Sequence, residues 1–257
     1  MIELNTIYHE DCLEGMKRIP DGSVDLIICD LPYGVLHKSN SEAAWDKPLP
    51  MDKLWEQYLR ITKPSAAIIL FGQGMFTAQL MASQPKLWRY NLIWNKGQRI
   101  TGFLNAKRMP LRCHEDICVF YRKPPTYNPQ MTTGPVCHKR NTRGEGHVNR
   151  CWGKMKVAPT TISNEKYPVS ILTFEKDYPV LHPTQKPVAL IGWLIKTYSN
   201  PGETVLDNCM GSGRTAIAAL RTGRSFIGFE VTKKYFDLST EEVNCEKRKM
   251  ESMIIFK

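Results

Sequence analysis

The sequence predicts an α/β fold in which a mostly parallel β-sheet carries helices on both faces. Short apolar runs of strand length alternate with amphipathic helical segments along most of the 257 residues. This alternation is typical of parallel strands that are joined by helices crossing over the sheet. Polar residues that directly follow the strands should therefore meet at one edge of the sheet, where ligands bind in such folds.

The predicted strands are short apolar runs bounded by turn or polar residues. They are Thr6–His9, Val24–Cys29, Ala66–Phe71, Trp88–Trp94, Asp116–Tyr121, Thr204–Leu206 and Ser225–Phe229. The helices are predicted from apolar positions that recur with a helical period. They are Met51–Ile61, Met75–Ala82, Pro187–Tyr198, Thr215–Leu220 and Lys233 to about Lys249. A further helix at Cys12–Lys17 is expected if Asp11 is an N-cap.

The composition indicates a folded and strongly basic protein. Hydrophobic residues make up 42% of the chain, which excludes disorder, and the formal net charge of +10 favours a polyanionic partner. No apolar run approaches the roughly 18 residues that span a bilayer. The eight cysteines are scattered without a C-x-x-C pair, as in reduced proteins. We therefore expect a cytoplasmic protein that has no membrane partner.

Most of the excess positive charge lies in one stretch rich in proline and glycine. Between Arg122 and Lys156, eight basic residues stand against one acid, Glu145, and no regular apolar period is sustained. We interpret residues 122–180 as an insertion of irregular backbone between two halves of one domain, 1–121 and 181–257. Its clustered cations favour phosphate binding, and a solvated loop is the alternative. The candidate DNA-contacting residues are Lys139, Arg140, Arg143 and Arg150.

The segment after the strand Thr204–Leu206 is typical of a nucleotide-type site. It runs from Asp207 through a turn with Gly211 and Gly213 into a helix of small residues. Glycines let a ligand approach the backbone, and the amino end of a helix offers free N–H groups. Glu230 ends the next strand, where an acid can accept hydrogen bonds from ribose hydroxyls. Because the third glycine of G-x-G-x-x-G is missing, a simple tight connection is the alternative.

The strand Val24–Cys29 runs directly into Asp30, Leu31, Pro32 and Tyr33. An amino group on a nucleobase is a poor nucleophile, because its lone pair is delocalised into the ring. The Asp30 carboxylate and the Leu31 carbonyl can accept both of its N–H hydrogens and favour a pyramidal nitrogen, while Tyr33 can stack on the base. The alternative is a turn in which Asp30 caps the following segment and Tyr33 belongs to the core.

At these sites the chain resembles the S-adenosylmethionine-dependent DNA amino-methyltransferases. Asp30–Tyr33 is similar to their catalytic D-x-P-Y motif, Asp207–Gly213 to their cofactor glycine motif, and His182–Pro187 to the segment that precedes the latter. The order of these motifs resembles that of the permuted β group. The resemblance implies a Rossmann-like, circularly permuted mixed sheet of seven strands, in which the cofactor strand lies beside the catalytic strand. It also implies that the insertion recognises the target sequence.

The resemblance further implies transfer of a methyl group from S-adenosylmethionine to a base flipped out of double-stranded DNA. In the family an Asp at the first motif position usually accompanies adenine N6, so Asp30 favours adenine, with cytosine N4 as the alternative. Asp30, Leu31, Pro32 and Tyr33 would hold the base. The cofactor-binding candidates are Asp11, Asp30, Thr184, Lys186, Asp207, Asn208, Gly211, Gly213 and Glu230. Homodimers occur in this family, so a homodimer is a further expectation.

Several of these candidates have a simpler alternative. Asp11 and Thr184 could be helix caps only. Asn208 and Cys209 stand where many members of the family have Pro and Phe, which puts aromatic packing on the cofactor in doubt. Other functions left open are an inactive DNA-binding protein of this fold and a nicotinamide dehydrogenase that uses the glycine turn with Glu230.

Three further features are not taken as catalytic or metal sites. Cys29 lies inside an apolar strand and is expected in the core, because methylation of an amino group needs no thiol. The spacing of the four potential metal ligands in the insertion matches no common zinc site, so we expect no metal. These four are Cys137, His138, His147 and Cys151. Trp45 and Asp46 lie in a polar loop that either closes over the base or simply packs.

Overall fold

The structure is a computed structural model that describes residues 2–36, 45–139, 148–149, 153–154 and 161–255. In chain order the strands of this described part are β1 Thr6–Tyr8, β2 Val24–Cys29, β3 Thr62–Gly72, β4 Trp88–Asn95, β5 His114–Tyr121, β6 Thr132–Lys139, β7 Val148–Asn149, β8 Gly153–Lys154, β9 Thr161–Lys166, β10 Ile171–Thr173, β11 Thr204–Asp207 and β12 Ser225–Phe229. The α-helices are α1 Cys12–Met16, α2 Met51–Ile61, α3 Met75–Ser83, α4 Val188–Tyr198, α5 Arg214–Arg221 and α6 Lys233–Ile255.

The chain divides into two compact units. The larger unit comprises residues 1–128 and 170–257, and the smaller one comprises Pro129–Val169. The stretch interpreted as an insertion at 122–180 therefore contains the whole smaller unit, together with residues that belong to the larger one. Among the latter is β10, which is part of the main sheet.

The larger unit contains an eight-stranded sheet in the order β1-β12-β11-β2-β3-β5-β4-β10. β5 runs antiparallel to both of its neighbours, and the other pairs are parallel. The predicted α/β fold with a mixed sheet is confirmed, and β11 lies beside β2 as the resemblance implied. The predicted number of seven strands is too low by one. β10 was missed because it lies in the stretch 122–180 that was interpreted as an insertion of irregular backbone.

Helices cover both faces of this sheet, as the sequence predicted. On one face α4, α5 and α6 bury apolar side chains such as Leu194, Ile217 and Val243. On the other face α1, α2 and α3 bury side chains such as Tyr58 and Leu80. Each fully buried side chain of this size contributes about 1.5–3 kcal/mol to folding. Within the described ranges, no helix combines the length and the apolar composition that crossing a membrane requires.

In the smaller unit, β6 pairs antiparallel with β9, and β7 pairs with β8. The prediction of irregular backbone throughout this stretch is therefore wrong. The register of the β6–β9 pair shifts between Thr133 and Cys137, where the strand contains Gly134 and Pro135. A proline and a glycine at such a bulge interrupt the alternating pattern by which a strand is recognised from sequence.

Candidate active site

A cavity of about 880 Å³ opens beyond the carboxyl ends of β2, β11 and β12. Its volume lies in the range of small-molecule binding sites. The segments that follow these strands line it, together with the segment that precedes α4. The predicted site residues found in its wall are Asp11, Asp30, Leu31, Pro32, Tyr33, Thr184, Lys186, Asp207, Asn208, Gly211 and Glu230.

The catalytic candidate Asp30 directly follows β2. Only 20% of its side chain is exposed, and its Oδ1 accepts a hydrogen bond of 3.0 Å from the Tyr33 hydroxyl. The Tyr33 ring stacks on Phe76 at a centroid distance of 4.5 Å. Leu31 lies beyond the end of β2 at Cys29, and among the described residues no backbone N–H donates to its carbonyl. The segment therefore offers two acceptors, the Asp30 carboxylate and the Leu31 carbonyl.

A chain of alternating charges holds the other carboxylate oxygen of Asp30. The Lys186 ammonium donates a hydrogen bond to Asp30 Oδ2 and another, of 3.1 Å, to the Thr184 carbonyl. Lys186 Nζ also lies 3.2 Å from Oε2 of Glu115, and Lys96 binds Oε1 of the same carboxylate. The two lysine side chains are only 6% and 2% exposed. Two carboxylates and two ammonium groups thus compensate one another in a buried site.

Burial and neighbouring charge act in opposite directions on these groups. Burial raises the pKa of Asp30 above its ordinary value, although the Lys186 charge opposes this rise. Burial alone would lower the pKa of Lys186, but Asp30 and Glu115 raise it. Burial alone would raise the pKa of Glu115, but Lys186 and Lys96 lower it. Lys186 therefore remains a cation beside the catalytic carboxylate at neutral pH.

Glu230 fixes the glycine turn that follows β11. Its Oε2 accepts a hydrogen bond of 2.8 Å from the Gly211 N–H, and its Oε1 accepts one of 2.8 Å from the Thr232 N–H. Burial raises the pKa of Glu230, and these two N–H groups oppose the rise. The Thr232 side chain adds a third hydrogen bond to this carboxylate, which still has acceptor capacity for a ligand. The turn passes Gly211 at φ +54°, a conformation that glycine adopts without strain.

Asp207 is the second buried acid on this side of the cavity. Its Oδ1 accepts a hydrogen bond of 3.0 Å from the Cys209 N–H. Burial raises the pKa of Asp207 to about 6. The Asp207 and Glu230 carboxylates thus follow neighbouring strands, β11 and β12, and both border the cavity.

Two predicted cofactor residues make other contacts. Asn208 lines the cavity, but its amide oxygen accepts a hydrogen bond from the Tyr58 hydroxyl and its nitrogen lies 3.5 Å from Cys12 Sγ. Its side chain therefore ties the end of β11 to α1 and α2. Gly213 is not in the cavity wall. It caps α5 at φ +78°, and a Cβ there would lie 3.1 Å from Ser239, so this glycine lets α5 pack closely on α6.

Asp11 and Thr184 line the cavity, and their local contacts differ. Asp11 is the N-cap of α1, because its Oδ1 accepts a hydrogen bond of 2.8 Å from a backbone N–H in the first turn. Asp11 therefore caps α1 and also borders the cavity. Thr184 Oγ1 lies 3.1 Å from His182 Nδ1. It does not cap α4, because the Val188 N–H donates to Asp177 instead.

Sequence reasoning missed Glu115 and Lys96. Lys96 directly follows β4, and Glu115 is the second residue of β5, opposite Trp94. Because β5 is antiparallel, its first residues lie at the edge where its neighbours end. A lysine after one strand and an acid at the start of the next would have been a usable signal if β5 had been predicted antiparallel.

The polar loop after Tyr33 is held by Asp46, which is 2% exposed. Its carboxylate accepts hydrogen bonds from the backbone N–H groups of Gly34 and Val35, at 2.9 and 2.8 Å. The Trp45 ring lies 4.9 Å from the His182 ring. Trp45 and Asp46 both line the cavity, and residues 37–44 lie outside the described part of the chain. Closure of this loop over a base stays a prediction.

The remaining candidates from the sequence are a core cysteine, potential metal ligands and DNA-contacting residues. Cys29 is completely buried in the core, where burial raises its pKa to about 12 and keeps the thiol protonated. Among the residues that the structure describes, no group of His, Cys, Asp and Glu could hold a metal ion. Several predicted positions lie outside the described side chains. They are the DNA-contacting candidates Lys139, Arg140, Arg143 and Arg150 and the declined metal ligands Cys137, His138, His147 and Cys151.

Comparison with known proteins identifies the family to which this site belongs. Residues 24–241 match the family model for N6 and N4 methylases, which is described as "DNA methylase". The chain belongs to the N6/N4 DNA methylase family. It is therefore a methyltransferase of the type that the motifs at Asp30 and Gly211 resemble, and the family recognised from the sequence is confirmed.

Named relatives cover nearly the whole chain. The type II methyltransferase M.HinfI of Haemophilus influenzae is 29% identical over 93% of this chain and 68% of its own length. The DNA adenine methyltransferase YhdJ of Escherichia coli (strain K12) is 27% identical over 94% of this chain and 83% of its own. The structure also resembles that of M1.HpyAVI in complex with SAM, with a TM-score of 0.61 at 22% identity. That match covers 93% of this chain and 98% of the other.

Proposed function

We propose that this methyltransferase transfers a methyl group from S-adenosylmethionine to N6 of an adenine flipped out of double-stranded DNA. The observation that carries this proposal is the pair of acceptors after β2. These are the largely buried Asp30 carboxylate and the Leu31 carbonyl, to which no backbone N–H of the described residues donates. They share a cavity with the acids Asp207 and Glu230. The Asp30 carboxylate and relatives such as the adenine methyltransferase YhdJ favour adenine N6 over cytosine N4.

The residues around the glycine turn fit S-adenosylmethionine. Its adenosyl group carries ribose hydroxyls and an adenine amino group, which are hydrogen-bond donors. Glu230 and Asp207 supply acceptor oxygens, and Gly211 presents backbone without a side chain. Asp11 adds a third carboxylate to the cavity wall. When bound, the cofactor supplies an electrophilic methyl group on a sulfonium.

Asp30 and Leu31 would prepare the adenine amino group for attack. By accepting its two N–H hydrogens, they draw the nitrogen toward a pyramidal shape in which the lone pair is available. The negative charge of Asp30 also stabilises the positive charge that grows on this nitrogen as the new N–C bond forms. The nitrogen must then lose one proton. The Asp30 carboxylate can accept it, since burial raises its pKa.

Tyr33 and Lys186 would keep this arrangement rigid. Tyr33 holds one oxygen of Asp30 through its hydroxyl, and Phe76 fixes its ring. The other oxygen accepts a hydrogen bond from Lys186, which also donates to the Thr184 carbonyl and lies 3.2 Å from Glu115 Oε2. Lys186 therefore acts as a positioning residue for Asp30. This differs from the cofactor-binding role that the family resemblance implied for Lys186.

We also propose that the basic part of the insertion recognises DNA through Lys139, Arg140, Arg143 and Arg150. The support is the concentration of positive charge between Arg122 and Lys156. The six cysteines whose side chains the structure describes all carry free thiols, in keeping with action on DNA in the cytoplasm. Assembly into a homodimer remains a prediction.

The proposal is tested by expressing the protein in a host that lacks adenine methylation. The host DNA is then sequenced for modified bases and digested to nucleosides. N6-methyladenine at one recurring sequence is expected, whereas N4-methylcytosine would contradict the assignment. Asp30→Ala should abolish the modification while the purified protein still binds S-adenosylmethionine. Retained methylation by this variant would exclude Asp30 from the proposed role.

A further inference from the structure

The connection between β4 and β5, residues 96–113, borders the candidate active site. β4 is parallel to β2 and β3, because β5 is antiparallel to both β3 and β4. Its carboxyl end therefore lies at the same edge of the sheet as Asp30. Three residues of the connection, Lys96, Thr101 and Arg112, line the cavity. The base of this connection thus borders the cavity that is proposed to receive the target adenine.

The tip of this connection is apolar, exposed and held in place. Thr101 and Arg112 exchange two backbone hydrogen bonds of 2.8 and 3.0 Å, which close the base of the loop. Gly102, at φ +86°, then leads into a short 3-10 helix, Phe103–Asn105. Phe103 is 73% exposed and Leu104 is 85% exposed. The connection carries further exposed apolar side chains at Ile100, Met109 and Leu111.

Every charged residue of this connection is basic. It contains Arg99, Lys107, Arg108 and Arg112 in addition to Lys96, and no acid occurs between Lys96 and His114. Lys107 and Arg108 are exposed and form no ion pair with any residue that the structure describes. Cations that are free at the surface are available for phosphate groups.

These features fit DNA better than a second copy of this chain. A formal net charge of +10 makes approach of a second copy to a basic surface unfavourable. DNA offers phosphates for the cations, and stacked bases between which apolar side chains such as Phe and Leu can insert. A flipped adenine leaves a gap in the stack, close to the cavity that receives the base.

We propose that Phe103 and Leu104 form a wedge that enters the DNA stack where the target adenine has left it. Lys107 and Arg108 hold the adjoining backbone. The wedge replaces part of the stacking that the flipped base loses and so favours the open state. This inference depends on the proposed function, because it requires the adenine to occupy the cavity beside Asp30.

The first test compares two DNA substrates that carry the mapped target sequence. In one the target adenine is paired, and in the other it faces an abasic site, where no pair has to be broken. Phe103→Ala/Leu104→Ala should slow methylation of the paired substrate about ten-fold or more, a factor set by the stacking energy of one base. On the second substrate the loss should be less than about three-fold.

Controls separate this inference from the proposed function. Leu4→Ala removes another exposed apolar side chain, 52% exposed, ahead of β1 and away from the cavity, and should match the wild type. Asp30→Ala should lose activity on both substrates. An active Asp30→Ala would refute the proposed function. If Asp30→Ala is inactive, the proposed function stands and the wedge can be judged separately. The wedge alone is refuted if Phe103→Ala/Leu104→Ala slows methylation equally on both substrates, or on neither.

The second test concerns Lys107 and Arg108, and the alternative that a second copy of this chain covers the apolar tip. Lys107→Ala/Arg108→Ala should reduce the slope of log Kd against log salt by about two, roughly one per lost phosphate contact. Arg248→Ala/Lys249→Ala should leave this slope unchanged, because neighbouring Lys247 contacts Asn5 ahead of β1, away from the cavity. An unchanged slope in the first variant would contradict the proposal. So would a change of oligomeric state in the wedge variant, since that would assign the apolar tip to contact between copies.

Discussion

The two acidic centres of the active site are held in different ways. Asp30, on the catalytic side, is bound by the side chains of Tyr33 and Lys186, and the latter reaches on to Glu115. Glu230, on the cofactor side, is bound by two backbone N–H groups from its own turn and the neighbouring one. The proposed catalytic carboxylate therefore depends on charged side chains from distant parts of the chain, whereas the proposed cofactor carboxylate depends mainly on nearby backbone N–H groups.

This difference predicts which of the two carboxylates is more sensitive to substitutions of residues elsewhere in the chain. Backbone N–H groups cannot be removed by substituting a side chain, so the Glu230 site should tolerate changes elsewhere. The Asp30 site should not, because loss of one buried charge leaves its partners uncompensated.

The largest effect is expected for Lys186→Met, which removes the cation between Asp30 and Glu115. Breaking a buried ion pair by removing one partner costs about 3–5 kcal/mol. We therefore expect a much lower melting temperature, together with loss of methyl transfer. Thermal unfolding and activity measure both effects. Lys186→Arg keeps the charge and should recover part of the stability, and a Lys186→Met protein as stable as the wild type would show that the buried charges are not coupled.

A smaller and more selective effect is expected for Glu230→Gln. The amide keeps the size of the side chain but loses the charge that its hydrogen-bonded partners and the ribose hydroxyls favour. Hydrogen bonds to charged groups contribute about 1.5–3 kcal/mol, so the Kd for S-adenosylmethionine should rise about ten- to one-hundred-fold. Calorimetry measures this Kd. The rate at saturating cofactor should change little, and a collapse of that rate with unchanged Kd would reverse the roles assigned to the two acids.

The smallest effect concerns the pH dependence of methyl transfer. Protonation of Asp30 removes an acceptor, so the rate should fall as pH decreases through its raised pKa. The negative charge of Glu115 contributes to that raised pKa. Glu115→Gln should therefore move the acid limb of the kcat profile to lower pH.

Asp116→Asn is the matched control for the pH profile. Asp116 is the next residue of β5, points to the opposite face of the sheet and accepts a hydrogen bond from Thr77. The acid limb of the kcat profile of Asp116→Asn should coincide with that of the wild type. A shift of the Glu115→Gln limb to higher pH would contradict the assigned sign of the interaction.

The same comparison explains how far the sequence predicted the site. Asp30 and Glu230 could be found because each directly follows an apolar strand, a pattern visible within a few residues. Glu115 and Lys96 could not, because their role depends on β5 pairing antiparallel with β4. The Tyr58 hydroxyl in α2 occupies the amide oxygen of Asn208, and no local pattern reports such a contact across 150 residues.

The fold shows the same division between local and distant information. The strands β2 and β12 and the helix α2 were predicted with their observed bounds, since their apolar periods are unbroken. β6 and β10 were missed, because β6 contains Gly134 and Pro135 and β10 lies in the stretch interpreted as an insertion. Their strand character depends on pairing with β9 and β4.

The most direct measurement is single-turnover methyl transfer by Asp30→Asn, with DNA and cofactor bound in advance and cofactor affinity determined separately. The amide preserves size and one acceptor oxygen but removes the charge facing the reacting nitrogen. We expect transfer to slow by about 10²–10³-fold, with the Kd for S-adenosylmethionine changed less than about two-fold. Wild-type transfer by Asp30→Asn would contradict the role of this carboxylate.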